Sequence, residues 1–419
     1  ISPDILSGLF YFSRSKWRPM HIVLFDNAEW RMGLYPLSLT RPVADLRVGI
    51  LTIAEKWAKR WNAPYSFLSE DYLAEKYPLG EVSGDVLLIR GNCCPDSRLF
   101  DAVDALHGGQ VLTSGREMVA IRGDAGDLFP WNPTAIQRFL RVVYEHDVVE
   151  INHPEDLFLN NGQQIGLDFD LLTKGRTSAS LSNSNRFLGE QIFAEEGAKA
   201  EFATFNSTMG PIYLGRNSEV WEGSHIRGAF ALGEHSQVKM GARIYSNVTV
   251  GPYSRVGGEL NTCVIWGRSA KGHDGYLGSA VMGEWCNWGA DTNNSNMKNN
   301  YKSVHLYDYQ HSDYRDSGLQ FCGAIMADHV RCAINTALNT GTVVGVGATL
   351  FGGEMPPTFV PDFSWGSPEG FSTYRLDKFF ETASLVYQRR NLEFTEMEKR
   401  LLTTVFELTR KYRNQTYIN

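Results

Sequence analysis

A short segment near the middle of the chain combines residue types that can transfer a proton. It reads Lys271-Gly-His273-Asp-Gly-Tyr276-Leu-Gly278, and polar residues flank it on both sides. Histidine titrates near neutral pH, so His273 is a candidate general base. Lys271, two residues earlier, would favour the neutral form of the imidazole. The alternative is a structural histidine, which is the usual role of a lone histidine.

Asparagines are frequent directly after this segment. The chain continues with Asn287-Trp-Gly-Ala290-Asp-Thr292, and then carries Asn293, Asn294, Asn296, Asn299 and Asn300. Side-chain amides both donate and accept hydrogen bonds, so such a cluster can bind a polar ligand. It can equally form turns and an internal ladder that serve only the fold. The sequence leaves both interpretations open.

The elements that position these residues follow from an aliphatic residue at every sixth position. The series runs through Leu214, Val220, Ile226, Leu232, Val238, Ile244, Val250 and Val256. Neither an α-helix nor a β-strand has this period. Each turn of a left-handed parallel β-helix consists of three hexapeptides with one inward aliphatic residue per face. A β-sandwich is the alternative, but sandwiches do not keep a strict period.

The breaks in this period predict loops. The spacing is interrupted at residues 258–275, resumes at Leu277 and breaks again at residues 291–322, a stretch rich in Asn, Tyr, His and Asp. Residues 186–211 read as a transition into the coil. Because His273 lies where the coil is interrupted, we expect it on a projecting loop.

The region before the coil alternates predicted strands and helices. Residues 22–25 and 86–89 read as buried strands, and residues 50–61 and 133–143 read as helices. Such alternation predicts an α/β layer around a parallel-type sheet. Ligands of these sheets bind at the carboxyl ends of the strands. Binding residues are therefore expected in the loops that follow the two strands.

These two loops carry the candidate nucleotide-binding residues. The first contains Arg31 and Arg41, whose guanidinium groups can grip phosphate, and the second contains Asn92. Ion pairing is the alternative for both arginines. Asparagine can ligate magnesium weakly but adds no negative charge. Asp168 and Asp170 would share a face if they lie on a strand, and could then form a carboxylate site; the alternative is a solvated strand edge.

Composition limits the classes of function. The formal net charge of −7 does not favour bulk attraction to nucleic acid or to a membrane surface. No apolar run reaches the length of a membrane span, and the six cysteines show no paired CxxC motif of a zinc site. The sequence shows no secretory signal, so we expect a cytoplasmic protein.

The two ends of the chain read as additions to these parts. Residues 1–19 look like an extension before Met20 that adds nothing to catalysis. Two amphipathic helices are predicted in the tail, where Thr395 and Glu398 form a capping-box signature. We expect these helices to cap the open end of the coil. Arg389 and Arg390 could instead reach a phosphate.

Residues 265–352 resemble the acetyltransferase half of a bifunctional bacterial family that makes UDP-N-acetylglucosamine. This is the N-acetylglucosamine-1-phosphate uridylyltransferase/glucosamine-1-phosphate N-acetyltransferase family. The Gly-His, Tyr-Leu-Gly, Asn-x-Gly-Ala and Thr elements agree in type and spacing. Two departures are Met297, where the family usually has a tyrosine, and an insertion at residues 299–317.

The resemblance is weaker over the α/β region. Arg31-Met32 and Pro36 look like remnants of the nucleotidyltransferase signature. The glycine-rich loop of that signature is missing, and Leu37 stands where the family has a lysine. The chain is therefore similar to a divergent member with a degenerate nucleotidyltransferase domain.

The resemblance implies a role for each matching residue. His273 would be the general base toward a sugar amine. The sugar phosphate would be bound by Tyr276, Asn287, Asn296 and Lys302, with Arg268 as a looser candidate. The channel for acetyl-CoA, the implied acetyl donor, would be bordered by Ala290 and Gly352. A nucleotide would be bound by Arg31, Arg41 and Asn92, with Mg²⁺ and UTP or another NTP as further implied ligands; no metal-binding residue is assigned.

The expected organisation has four parts. They are an extension at residues 1–19, a nucleotidyltransferase-like α/β (Rossmann-like) domain at 20–185, a left-handed β-helix acyltransferase domain at 186–366 and a helical tail at 367–419. The expected assembly is a homotrimer, because such coils leave flat apolar faces that a three-fold contact covers.

The expected function is acetyl-CoA-dependent N-acetylation of an amino-sugar phosphate of the glucosamine-1-phosphate type, in nucleotide-sugar biosynthesis for the cell wall. One alternative is a sugar-1-phosphate nucleotidyltransferase with a regulatory β-helix. Another is a non-catalytic trimeric scaffold that binds nucleotide sugars.

Overall fold

The computed structural model describes residues 20–416, so the expectation about residues 1–19 lies outside the described part. The α/β part, residues 20–185, is built on a six-stranded sheet. Its strands and helices are β1 His21–Phe25, α1 Ala28–Gly33, α2 Ile53–Trp61, β2 Tyr65–Leu68, β3 Asp85–Arg90, β4 Cys93–Cys94, α3 Ser97–Asp104, β5 Gln110–Ser114, β6 Glu117–Asp124, α4 Ala125–Leu128, β7 Leu140–Val143, β8 Val149–Glu150 and α5 Pro154–Thr173. Short 3-10 helices lie at Val43–Asp45, Asp71–Leu73 and Pro133–Arg138.

The sheet is mixed, whereas the sequence predicted a parallel one. Its order is β2-β1-β3-β6-β5-β7, with β1 parallel to both neighbours and β6 antiparallel to β3 and β5. A two-residue connection between β5 and β6 permits only an antiparallel pair. The predicted helix at residues 133–143 is also wrong, because only Pro133–Arg138 is helical, as a short 3-10 helix. Leu140–Val143 instead pairs with β5, as its two valines favour.

The predicted left-handed parallel β-helix is confirmed. Its strands are β9 Arg186–Leu188, β10 Ile192–Ala194, β11 Lys199–Ala200, β12 Thr204–Asn206, β13 Ile212–Leu214, β14 Glu219–Val220, β15 His225–Arg227, β16 Phe230–Leu232, β17 Gln237–Val238, β18 Arg243–Ile244, β19 Val248–Val250, β20 Arg255–Val256, β21 Glu259–Ile265, β22 Ala270–Lys271, β23 Tyr276–Met282, β24 Asn287–Trp288, β25 Asn293–Asn294, β28 Ile325–Met326, β29 Arg331–Cys332, β30 Ala337–Leu338, β31 Val343–Val344, β32 Thr349–Leu350, β33 Phe359–Val360 and β34 Ser364–Ser367. The hairpin β26 His305–Asp308 and β27 Asp313–Asp316 leaves the coil, and β35 Gly370–Thr373 pairs with β34.

The coil has three faces, which the chain visits in the order A, B and C. Face A starts at β10 and β13, face B at β11 and β14, and face C at β9 and β12. We name the corners AB, BC and CA after the faces that they join. The series of aliphatic residues points inward and forms one continuous core, as the period of six predicted. Coil turns already form at residues 186–211, which the sequence presented as a transition.

The predicted interruption at residues 258–275 is not a projecting loop. Strands β21 and β23 each run across corner CA and serve both face C and face A. Val250 pairs with Ile265, fifteen positions later, whereas Leu232 pairs with Val250, eighteen positions later. The coil therefore shortens its corners here and keeps its inward residues in register.

The second predicted break does leave the coil, but later than expected. Asn293 and Asn294 still belong to face C, where they pair with Ala337 and Leu338. The departing segment carries the hairpin β26–β27, in which Leu306 is buried. Arg315 of this hairpin forms an ion pair of 2.7 Å with Glu155 of α5. The insertion thus ties the coil to the α/β part.

The tail forms α6 Leu376–Gln388, α7 Glu396–Leu408 and α8 Arg410–Thr416. The capping box of Thr395 and Glu398 is present at the start of α7. The helices do not simply cap the end of the coil, because α6 and α7 pack along its side at corner AB. Large rings at that corner, such as Trp285, give them an apolar surface, and Tyr387 stacks on Trp285 at 3.8 Å.

A buried polar seam joins the α/β part to face A. In it, Asp168 accepts hydrogen bonds from Lys56 Nζ at 2.5 Å and from the amides of Ile50 and Leu51. Burial raises the pKa of Asp168 in spite of the Lys56 charge. The proposed carboxylate pair is wrong, because Asp168 and Asp170 lie on α5. Helical residues two apart point to opposite sides.

Candidate functional site

Three of the predicted site residues lie in one column on corner BC. His273, Ala290 and Gly352 each stand two residues after an inward residue of face B, and those inward residues are stacked in register. Ile334 occupies the same position on the turn between Ala290 and Gly352. Neighbouring turns are about 4.8 Å apart, so the column from His273 to Gly352 is roughly 14 Å long.

The backbone at His273 is held from inside the coil by Lys271. The side chain of Lys271 is buried, and its Nζ donates to the carbonyl oxygens of Gly257 at 2.9 Å and His273 at 2.8 Å. Burial lowers the pKa of Lys271 to about 8. The ammonium group therefore contacts the backbone of His273 and not its exposed imidazole. This differs from the expected effect of Lys271 on the ring.

A second group of predicted residues meets on face C. The amide nitrogen of Asn296 donates to the Tyr276 hydroxyl at 3.0 Å and approaches Ser279 Oγ at 3.3 Å. Burial raises the pKa of Tyr276, so its hydroxyl keeps its proton. Tyr276 starts β23, three residues after His273.

The asparagine cluster divides between the two roles that the sequence left open. Asn293 Oδ1 accepts from the Tyr276 amide at 2.7 Å, and Asn294 Oδ1 accepts from the Gly278 amide at 3.0 Å. Both side chains thus hold the backbone of β23. Asn296 is the member that reaches a side chain of the candidate site.

A polar cavity of about 610 Å³ lies at the base of the insertion, and its lining includes the two chain neighbours of Asn296, Ser295 and Met297, but not Asn296 itself. Its lining includes His305, an alternative base, together with Lys298 and Tyr314, which no sequence motif indicated. Lys298 Nζ lies 3.4 Å from His305 Nδ1 and donates to a backbone carbonyl of the same loop. The only sequence signal for this cavity was the break that is rich in Asn, Tyr and His.

The remaining predicted substrate residues are dispersed. Arg268 lies at corner AB, between the rings of Tyr253 and Trp285 and away from Tyr276. Asn287 is exposed on face B, and Lys302 is exposed in the loop that leads to the hairpin. The structure therefore does not bring Arg268 to the other candidate residues.

The predicted nucleotide residues are buried in ion pairs and hydrogen bonds. Arg31 is 1% exposed and donates to Asp26 Oδ2 at 2.9 Å and to the Ser38 carbonyl at 2.6 Å. Arg41 is also buried and pairs with Asp328 of the coil at 2.7 Å. The ion-paired alternative therefore describes both arginines, and the prediction that they face a nucleotide is corrected.

Asn92 is likewise enclosed by its own domain. Its side chain has no exposed surface, and its Nδ2 donates to Asn152 Oδ1 at 2.7 Å. Arg90 occupies the same strand end, where it lies over the Trp30 ring and pairs with Glu150. Asn92 is thus a structural residue in this arrangement.

The residues present do not fit the implied magnesium ion. Across residues 20–416, no three His, Cys, Asp or Glu side chains converge as a metal-binding group. At the expected position, the Asp26 carboxylate is bonded to Arg31 and the Asn92 amide to Asn152. Neither loop offers a free set of oxygen ligands of the kind that Mg²⁺ prefers.

Among residues 20–416, none of the helices has the length and apolar character needed to cross a membrane.

Comparison with known proteins separates the two parts of the chain. Residues 22–177 match a family model described as sugar nucleotidyl transferase. No curated protein matches the chain. Similar solved structures include UDP-N-acetylglucosamine acyltransferase from Arabidopsis (14% identity over 57% of this chain and 93% of that one, TM-score 0.23). UDP-N-acetylglucosamine acyltransferase from Campylobacter jejuni is also similar, with 14% identity over 55% of this chain and 96% of that one and a TM-score of 0.21.

A hexapeptide transferase family protein from Anaplasma phagocytophilum is a third similar structure, with 11% identity over 56% of this chain and 92% of that one and a TM-score of 0.12. These are similarities of fold alone. The chain thus combines a segment similar to sugar nucleotidyl transferases, residues 22–177, with a hexapeptide β-helix.

Proposed function

We propose that the protein is an N-acetyltransferase that moves an acetyl group from acetyl-CoA to the amine of an amino-sugar phosphate. The observation that carries this proposal is the column of His273, Ala290 and Gly352 on corner BC. The Tyr276–Asn296 pair on the adjoining face supports it. In this proposal the domain boundaries are those predicted, with acyl transfer assigned to residues 186–366.

The chain's own residues supply base catalysis and positioning. The lone pair of the amine attacks the thioester carbonyl, the bond from carbon to sulfur breaks, and the thiol leaves. An amine can attack only when it is unprotonated, and the exposed imidazole of His273 is free to take its proton. Lys271 fixes the backbone of this base from inside the coil.

Acetyl-CoA would lie along corner BC. Ala290 has a small side chain, Gly352 has none, and Ile334 offers an exposed apolar group between them. Gly352 has a φ of +102°, and a Cβ there would lie 2.9 Å from Ser367 Cβ. The position therefore favours glycine and keeps that turn of the corner open.

The sugar phosphate would lie toward face C and the polar cavity. Tyr276 and Asn296 can orient sugar hydroxyls, since each keeps hydrogen-bonding capacity beyond their mutual bond. Lys298 at the cavity and Lys302 in the exposed loop provide positive charge for a phosphate.

Incubation with acetyl-CoA and a panel of amino-sugar phosphates tests this function, with release of free thiol as the readout. We expect thiol release that depends on one amino-sugar phosphate, and N-acetylated product by mass spectrometry. If a folded protein released no thiol with any acceptor of the panel, the proposal would be contradicted. Binding of a nucleotide sugar without any turnover would instead favour the scaffold alternative.

We expect the protein to be a homotrimer in which corner BC faces a neighbouring coil, with acetyl-CoA between the two coils. The exposed side chains of Phe202 (68%), Met240 (66%) and Ile334 (65%) lie on this corner, on both sides of His273. Exposed large apolar side chains of this kind are typical of a contact surface, although Glu222 stands between Phe202 and Met240 in the column. Light scattering should give about three times the chain mass of 47.1 kDa. Met240→Glu should lower that mass, whereas Met209→Glu, equally exposed (67%) at corner CA, should not.

Two outcomes of this measurement would contradict the prediction. One is a monomer at micromolar concentration. The other is a trimer that Met240→Glu leaves intact, because a buried, unpaired carboxylate at the contact would cost several kcal/mol.

A second candidate function is sugar-1-phosphate nucleotidyl transfer, which the family match over residues 22–177 favours. We expect this activity to be slow, below about 1 s⁻¹, because Arg31 and Arg41 are already bonded to carboxylates. The release of pyrophosphate from a mixture of UTP, Mg²⁺ and a sugar-1-phosphate measures this activity.

We expect Arg31→Ala to lower the free energy of unfolding by about 3–5 kcal/mol, because it leaves Asp26 buried and unpaired. Fast transfer that Arg31→Ala abolishes in an equally stable protein would refute this prediction.

A further inference from the structure

A second cavity lies at corner AB, on the opposite edge of face B from His273. It measures about 380 Å³, which is in the size range of small-molecule sites. The coil contributes His235, Tyr253, Arg255 and Arg268, and the end of α6 contributes Arg389 and Arg390. Its lining includes none of His273, Ala290 and Gly352.

The cavity is positively charged without an internal counter-charge. Within residues 20–416, none of its four arginines forms an ion pair with a carboxylate. The nearby carboxylate of Glu284 pairs with Arg41 at 3.2 Å. The pKa of Arg390 is lowered to about 10, first by burial and then by the charges of the other three arginines. An anion in the cavity would relieve this repulsion.

The same cavity presents flat rings beside the guanidinium groups. His235 and Tyr253 are stacked, with ring centroids 5.0 Å apart and planes 15° apart. The Arg268 guanidinium continues this stack at 5.3 Å from the Tyr253 ring. Arg390 Nη1 donates to the Tyr253 carbonyl at 2.6 Å and so fastens the end of α6 over the cavity.

We propose that this cavity binds a nucleoside diphosphate. Guanidinium groups bind phosphate oxygens through paired hydrogen bonds, and Arg255, Arg268 and Arg389 surround one space. A base can stack on the exposed ring of His235, which forms the end of this stack, as bases do on aromatic side chains. A free nucleotide and the 3′-phospho-ADP part of coenzyme A share this chemistry.

Titration calorimetry of the full chain at low ionic strength tests the site, with UDP, ADP, coenzyme A and inorganic pyrophosphate as probes. Arg255 and Arg389 are exposed and form no side-chain hydrogen bond or ion pair with residues 20–416, so Arg255→Gln and Arg389→Gln should fold normally. We expect each to weaken diphosphate binding at least about tenfold, because each removes charged hydrogen bonds. Arg116→Gln, at an exposed arginine in the turn between β5 and β6, is the matched control and should change nothing.

His235→Ala separates the ring from the phosphates. We expect it to weaken UDP or ADP about tenfold or more and to leave pyrophosphate binding unchanged, because only the base stacks. If coenzyme A binds more tightly than ADP and competes with it, the cavity serves the acyl donor. If UDP binds and coenzyme A does not compete, it serves a free nucleotide.

Two results would overturn the inference. One is no binding of any diphosphate probe at millimolar concentration and low salt. The other is binding that Arg255→Gln, Arg389→Gln and His235→Ala all leave unchanged, which would place the ligand elsewhere. Failure of acetyl transfer would touch neither measurement, so the two proposals are tested separately.

Discussion

His273→Ala lowers the rate of acetyl transfer by about a hundred- to ten-thousandfold if His273 is the base, the usual loss on removing a positioned base. The affinity for acetyl-CoA changes little, because the imidazole faces the amine. Raising the pH partly restores the rate of the variant, since more of the amine is then already unprotonated. Thiol release as a function of pH, measured on the wild type and the variant, checks all three statements.

Two other histidines provide the controls for this result. His305 lines the polar cavity, and His311 is exposed in the hairpin, where it pairs with Asp308 at 2.8 Å. We expect His311→Ala to keep nearly full activity and His305→Ala to affect mainly the KM of the acceptor. A folded, trimeric and fully active His273→Ala protein would make His273 a structural histidine. A collapse of activity in His305→Ala would then identify His305 as the base.

The second large effect concerns the buried pair of Lys56 and Asp168. Both side chains are essentially inaccessible, at 0% and 1% exposure. Lys56→Met leaves the Asp168 carboxylate buried without its counter-charge. We expect the free energy of unfolding to fall by about 3–5 kcal/mol, the usual cost of breaking a buried pair from one side. Urea unfolding, followed by tryptophan fluorescence because Trp57 is adjacent in α2, measures this loss.

A second substitution should recover most of the loss. Asp168→Asn removes the stranded charge and keeps an oxygen that can accept from the amides of Ile50 and Leu51. Lys56→Met/Asp168→Asn should therefore be clearly more stable than Lys56→Met alone. Lys59→Met, on the exposed side of the same helix, should change stability by less than about 0.5 kcal/mol. Equal losses in Lys56→Met and Lys59→Met would rule out the proposed role of the pair.

The sequence predicted the local pattern of the coil because that pattern depends on single residues. One inward side chain per face, repeated every six residues, specifies the turn without knowledge of its neighbours. The same logic identified the capping box at Thr395, which needs only residues three apart. His273, Ala290 and Gly352 fall on one corner because each follows an inward residue by two positions.

Where the period fails, pairing between turns decides the structure. The sequence indicated a projecting loop at residues 258–275, but Val250 pairs with Ile265 and the coil continues with shorter corners. Hydrogen bonds between neighbouring turns stabilise a coil that continues without a loop. The pattern of single residues does not show this stabilisation.

The charged residues show most clearly what sequence and tertiary structure each determine. The sequence by itself determined that Arg31, Arg41 and Asp168 are chemically able to bind a ligand. Only the tertiary structure brought Arg41 to Asp328 and Asp168 to Lys56, partners 287 and 112 residues away. A charged side chain that is buried away from water needs a counter-charge close to it, and the tertiary fold determines which distant residue supplies that charge. The same long-range folding left the four arginines at corner AB without a carboxylate partner among residues 20–416, although the sequence had shown Arg268, Arg389 and Arg390 as separate candidates.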